Sequence, residues 1–78
     1  MKVELSASRI RSHLVDVVSL SHASATVSAF ISAHDLTAGC GFSGNVFTGG
    51  RIWDEGEVIA TVSYNGRVWD LDNKEIKL

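Results

Sequence analysis

His34, Asp35 and Cys40 place an imidazole, a carboxylate and a thiol within seven positions of each other. Those types sketch a base, an orienting group and a nucleophile, so a small hydrolase or nuclease using His34 and Cys40 is one reading. Against it stands length. A chain of 78 residues builds one small core and has no room for a deep substrate cavity beside it. A buried or half-buried thiol is the better reading of Cys40.

Other patterns invite chemistry and fail on context. Gly39-Cys40-Gly41-Phe42-Ser43-Gly44 matches G-x-G-x-x-G, and Val46 extends it toward a kinase-type glycine loop. A dinucleotide site needs a strand before the motif and a helix after it. Here the order reads as helix then strand, so the glycines are a structural connection. His13, His22 and His34 are spaced too widely for the close ligand pairs of a structural zinc site. Asp70-Leu71-Asp72-Asn73 opens like a calcium loop but lacks the glycine at the sixth position, and the chain ends before the twelfth. No catalytic residue, cofactor or metal is expected.

Acids carry more weight. Asp54, Glu55 and Glu57 cluster in one expected turn, and Asp70, Asp72 and Glu75 in another. In a meander these two turns fall at the same end of the sheet. Such a patch is either ordinary solvated turn chemistry or a surface that steers onto a basic protein partner. The phrase Gly50-Arg51-Ile52-Trp53-Asp54 returns as Gly66-Arg67-Val68-Trp69-Asp70 and holds both Trp residues. Trp53 and Trp69 read mainly as core. The alternative makes Arg51, Trp53, Arg67 and Trp69 interface anchors, because Trp and Arg dominate binding hot spots.

These residues must be positioned by one domain spanning residues 1–78. Net charge is −2, which argues against direct nucleic-acid binding through phosphates. A single cysteine excludes an internal disulfide and fits a reducing compartment. No signal-peptide pattern and no membrane-length apolar run is visible, so the expectation is cytoplasmic with no membrane partner.

The expected fold is α+β: two helices on one face of a four-stranded antiparallel meander. Residues 1–36 are read as mainly helical, 37–49 as a glycine-rich connection and 50–78 as the meander. Residues 2–6 alternate and fit an additional short N-terminal strand. Ile10, Leu14, Val17 and Val18 follow helical spacing, and the phase then breaks. A turn near Ser19–Ser24 and a second helix from about Ala25 to Leu36, capped by Ser24, follow from that break. Ala25, Ala29 and Ala33 form a small-residue ridge on it. The β-branched, Ser-rich composition of 15–32 leaves open one strand in that stretch.

In the meander, Asn65-Gly66 predicts a two-residue hairpin turn that sets Val62 opposite Trp69 and Ala60 opposite Leu71. Glu55-Gly56 predicts a second hairpin, with its loop length open. With a two-residue loop there, Trp53 lies opposite Val58, and both Trp residues share the face of Val58 and Val62. A three-residue loop would slip the register and flip Trp53. A third turn at 71–74 leads to a last strand, Glu75–Leu78.

The Gly-x-[Ile/Val]-aromatic-Asp phrase, repeated across a turn, resembles the short β-hairpin repeats of β-flower-type modules in small bacterial and phage proteins. The resemblance covers residues 49–78 and departs from the pattern in having two copies and a helical first half. Such modules share no single activity, so it implies a repeated hairpin and nothing more.

The function expected is therefore a small acidic, non-enzymatic protein-binding module. Its size and charge are similar to those of phage and mobile-element inhibitors of nucleic-acid-handling machinery, anti-CRISPR proteins among them. The alternative is a self-associating structural or regulatory protein, a homodimer, using the exposed last strand and the Ala25/Ala29/Ala33 ridge.

Overall fold

A computed structural model describes residues 1–37 and 45–78. The elements run β1 (Lys2–Ala7), β2 (Ile10–Asp16), α1 (Leu20–His34), β3 (Arg51–Asp54), β4 (Glu57–Val62), β5 (Val68–Trp69) and β6 (Glu75–Ile76). All six strands join one antiparallel sheet in the order β2-β1-β3-β4-β5-β6. The architecture is α+β, but the expected two helices on a four-stranded meander are overturned. There is one helix and a six-stranded sheet among the described residues.

The first expected helix is strand β2. Residues 1–36 thus divide into two strands and one helix instead of being mainly helical. Ser8 and Arg9 turn β1 back on itself, and β2 pairs with it from Ala7↔Ile10 to Lys2↔Asp16. The spacing of Ile10 and Leu14 that mimicked a helix arises in a strand whose side chains are mostly exposed; Leu14 is 50% exposed. Pairing with β1 satisfies the inward-directed backbone groups of this stretch, whose Ser12, His13 and Val15 have weak helix propensity.

The helix starts before Ala25, within the stretch assigned to a turn. Ser19, not Ser24, is the N-cap: its backbone is extended and its Oγ accepts the His22 N–H at 3.0 Å. The end is set by Asp35 in the left-handed region (φ 52°), with Leu36 N–H returning to the Ile31 carbonyl at 3.0 Å. Ala23, Val27 and Phe30 make the buried stripe of α1. They pack on Val3, Leu5, Ile52, Ala60, Val62 and Val68, which alternate onto one face of the sheet. Ala25, Ala29 and Ala33 are exposed on the far side of the helix. No helix of the described residues is long and apolar enough to cross a membrane.

Glycines at the end of the connection are locked, not slack. Gly50 (φ 106°) donates its N–H to Glu4 and accepts from Val62 N–H at 2.7 Å, so it lies in the sheet between β1 and β4. A Cβ on Gly50 would sit 2.2 Å from the Val62 carbonyl oxygen.

The β3–β4 hairpin closes through Glu55 (φ 52°) and Gly56 (φ 82°), the two left-handed residues of a type I′ turn. Trp53 lies opposite Val58, as a two-residue loop requires. Ile52 then pairs with Ala60, so Ile59 is an extra, bulged residue. The β4–β5 hairpin differs from the expected register by one. Ser63 faces Arg67, Val62 faces Val68 and Thr61 faces Trp69. Its loop has three residues, Tyr64-Asn65-Gly66, with Gly66 alone at positive φ (85°). Tertiary bonds hold that loop: Tyr64 Oη donates to the Leu36 carbonyl at 3.1 Å and Ser24 Oγ to the Gly66 carbonyl at 2.6 Å. The β5–β6 turn repeats the form, with Asn73 (φ 61°) in the place of Gly66. The last strand is shorter than expected, Glu75–Ile76.

Candidate functional site

One helix covers one face of the sheet, and no helix among the described residues covers the other. Alternation decides what stands there. Ile52, Ala60, Val62 and Val68 are buried beneath α1, so their neighbours Arg51, Trp53, Thr61 and Trp69 face away from it. The two Trp residues do share a face, but it is the open one. The expectation that they lie with Val62 fails for two reasons: the three-residue loop moves Trp69 from Val62 to Thr61, and the Ile59 bulge puts Val58, the partner of Trp53, on the opposite face from Val62. Both are half-buried. Trp69 Nε1 donates to Ser63 Oγ at 3.3 Å, whereas Trp53 Nε1 is buried without a hydrogen-bond partner among the described residues.

Glu4 and Arg51 form the polar centre of this face. Arg51 Nε donates to Glu4 Oε1 at 2.7 Å and its Nη2 to Oε2 at 3.1 Å. Ser12 Oγ adds a bond to Oε2 at 2.6 Å. The guanidinium holds the Glu4 carboxyl below its ordinary value, with the Ser12 bond acting the same way against the cost of burial. Arg51 is thus held by an ion pair to a mostly buried Glu4 although its own side chain is exposed, and Arg67 is exposed as well.

The acidic residues gather as the strand order dictates. Asp54, Glu55 and Glu57 form the β3–β4 turn, and Asp70, Asp72 and Glu75 the β5–β6 turn, at the same end of the sheet. Asp16, at the end of β2, joins them, so seven of the nine acids share one end. Among the cations, Lys2, Lys74 and the N-terminal amine lie there. Lys2 pairs with Asp16 at 3.2 Å and the amine with Asp54 at 3.8 Å. Asp70 is turned inward, its Oδ1 accepting from Asp72 N–H at 2.8 Å and Lys74 N–H at 3.0 Å. Glu55, Glu57 and Asp72 are exposed and make no ion pair among the described residues. All four arginines (Arg9, Arg11, Arg51 and Arg67) sit toward the opposite end.

Between the acidic end and the open face lies a groove of about 400 Å³ lined by Met1, Lys2, Leu14, Trp53, Glu55 and Gly56. Its apolar walls are Met1, Leu14 and Trp53, and its charged residues are Glu55 and Lys2, the latter paired with Asp16. Sequence reasoning missed Met1, Lys2, Leu14 and Gly56 here, and also Glu4. The alternation of Lys2 and Glu4 against Val3 and Leu5 was the available signal, since it sets both on one face.

The remaining motifs are dispersed or lie elsewhere. Cys40 and the glycine motif fall outside the described residues. The His34 and His13 rings flank Phe30, with centroids 4.9 and 6.0 Å from it, and His22 Nδ1 accepts the Val18 N–H at 3.0 Å. No group of three His, Cys, Asp or Glu that could hold a metal ion occurs among the described residues. No protein-family model, no curated protein and no solved structure matches this chain.

Proposed function

We propose that this chain is a small, acidic, non-enzymatic protein-binding module, acting in the cytoplasm on a partner with a basic surface. The observation that carries the reading is the separation of charge. Seven of nine acids lie at one end of the sheet, beside a half-buried Trp face and an apolar groove that no element covers among the described residues. An acidic rim speeds encounter with a basic surface and fixes orientation, and a desolvated Trp supplies the anchor. Basic protein surfaces often bind nucleic acid. The proposal therefore includes inhibition of nucleic-acid-handling machinery, the role of the phage and mobile-element inhibitors that this chain resembles in size and charge.

Affinity purification from the source cells, with mass spectrometry of what is retained, tests the reading. The expected result is a partner released by moderate salt and not retained by the Glu55→Lys, Glu57→Lys, Asp72→Lys triple variant. Retention of no protein, or of one indifferent to both salt and the triple variant, would overturn it.

A further inference from the structure

Strand β2 is the long edge of the sheet, and no described residue pairs with its far side. The opposite margin, β6, has two residues and is followed by Lys77, features that blunt an edge. β2 has seven residues with neither Pro nor Lys among them. Helix α1 packs chiefly across β1 and β4 and meets β2 on its face, through the Phe30–His13 ring contact, while no described strand lies beyond its main-chain edge.

Alternation identifies which main-chain groups are free. Val17 N–H donates to the Met1 carbonyl at 2.9 Å, in step with the pairs Val3↔Val15 and Leu5↔His13. Hydrogen-bonded and non-hydrogen-bonded pairs alternate along an antiparallel ladder. His13, Val15 and Val17 therefore direct their N–H and C=O groups at β1, and Leu14 and Asp16 direct theirs outward. The irregularity of the β1–β2 ladder lies beyond His13, toward the turn, and leaves His13–Asp16 in regular register. The Leu14 side chain, half exposed, marks the middle of this free stretch.

We propose that β2 pairs with β2 of a second copy of this chain, antiparallel about a two-fold axis at Leu14, so that two sheets become one. Leu14 then meets its own copy across the axis, and Ser12 meets Asp16 on the same face. Charge fits this direction: Arg9 and Arg11 lie at one end of β2 and Asp16 at the other, so antiparallel pairing sets opposite charges at both ends of the seam. A small domain gains from such an addition, because it buries little of its surface alone. The inference draws on the main-chain edge of β2 and its test needs no partner protein, although Asp16 also belongs to the acidic end and Leu14 to the groove wall.

Sedimentation equilibrium from micromolar to submillimolar concentration tests it, together with amide hydrogen exchange. The expected mass rises to twice the 8.4 kDa of one chain. Exchange at Leu14 and Asp16 slows by about tenfold or more as the dimer forms, while His13 and Val15, already bonded to β1, change little. Leu14→Lys places like charges across the axis and is expected to give a monomer with an unchanged circular-dichroism spectrum. A monomer at every concentration would overturn the proposal. So would a dimer in which Leu14 and Asp16 exchange as fast as in the monomer, or one that Leu14→Lys leaves intact.

Discussion

Replacing Gly50 with Ala tests how the open face is positioned. Gly50 precedes Arg51 and bonds to both β1 and β4, so it sets where Arg51 and Trp53 lie on the sheet. Two costs add. A non-glycine residue held at φ 106° costs about 1–3 kcal/mol. The new Cβ would lie 2.2 Å from the Val62 carbonyl oxygen, a backbone atom that moves only if the β4 pairing moves, and such overpacking costs about 1–3 kcal/mol. The sum, about 2–6 kcal/mol, is a large share of the roughly 4–12 kcal/mol expected for a domain of this length. Gly56→Ala is the control. Its φ is also positive, 82°, but nothing lies within 4 Å of the added Cβ, so only the torsional cost of about 1–2 kcal/mol applies. Urea denaturation followed by Trp fluorescence measures both. Equal losses in the two variants would show that the close approach to Val62 contributes nothing, and the account of the locked connection would fall.

Ile52→Ala, at a fully buried site beneath the helix, should lose about 2–5 kcal/mol in the same assay. Ser19→Ala removes the N-cap acceptor and should lose about 1 kcal/mol, with reduced helical ellipticity on heating. Trp53→Phe discards a buried N–H that has no partner among the described residues, which offsets the lost ring area, so its urea midpoint should stay close to that of the parent. Glu4 makes stability depend on acid. Its folded pKa lies below the ordinary 4.5, so its stabilising effect is present above that value and is lost as pH falls through the folded pKa. Glu4→Gln should therefore be less stable than the parent at neutral pH and converge with it in acid; a constant gap across that range would contradict the Arg51 pairing.

Turn chemistry was legible because it is local. Glu55-Gly56 marked a hairpin turn and left its length open between two residues and three; the structure has two. The clustering of Asp54, Glu55 and Glu57 with Asp70, Asp72 and Glu75 required only the meander order. Residues 10–18 misled because a strand on the sheet margin has little buried face to impose a period of two. Exposed Leu14 and Val18, 50% and 87% accessible, supplied a helical spacing by coincidence. Ser19, not Ser24, starts the helix. Several serines precede the apolar stripe, and only the capped His22 N–H distinguishes among them.

By itself the sequence determined the repeated hairpin strands, the positions of all three meander turns and the charge carried by their tips. Tertiary structure decided the faces. Asn65-Gly66 favours a two-residue loop locally, but the bonds from Tyr64 to Leu36 and from Ser24 to Gly66 hold a three-residue one. One residue of slip exchanges the faces of Val68 and Trp69. Hydrophobicity alone would bury Trp53 and Trp69. A single helix can cover only one side of six strands, and Ile52 and Val68 occupy that side, so the two Trp residues are left on the other.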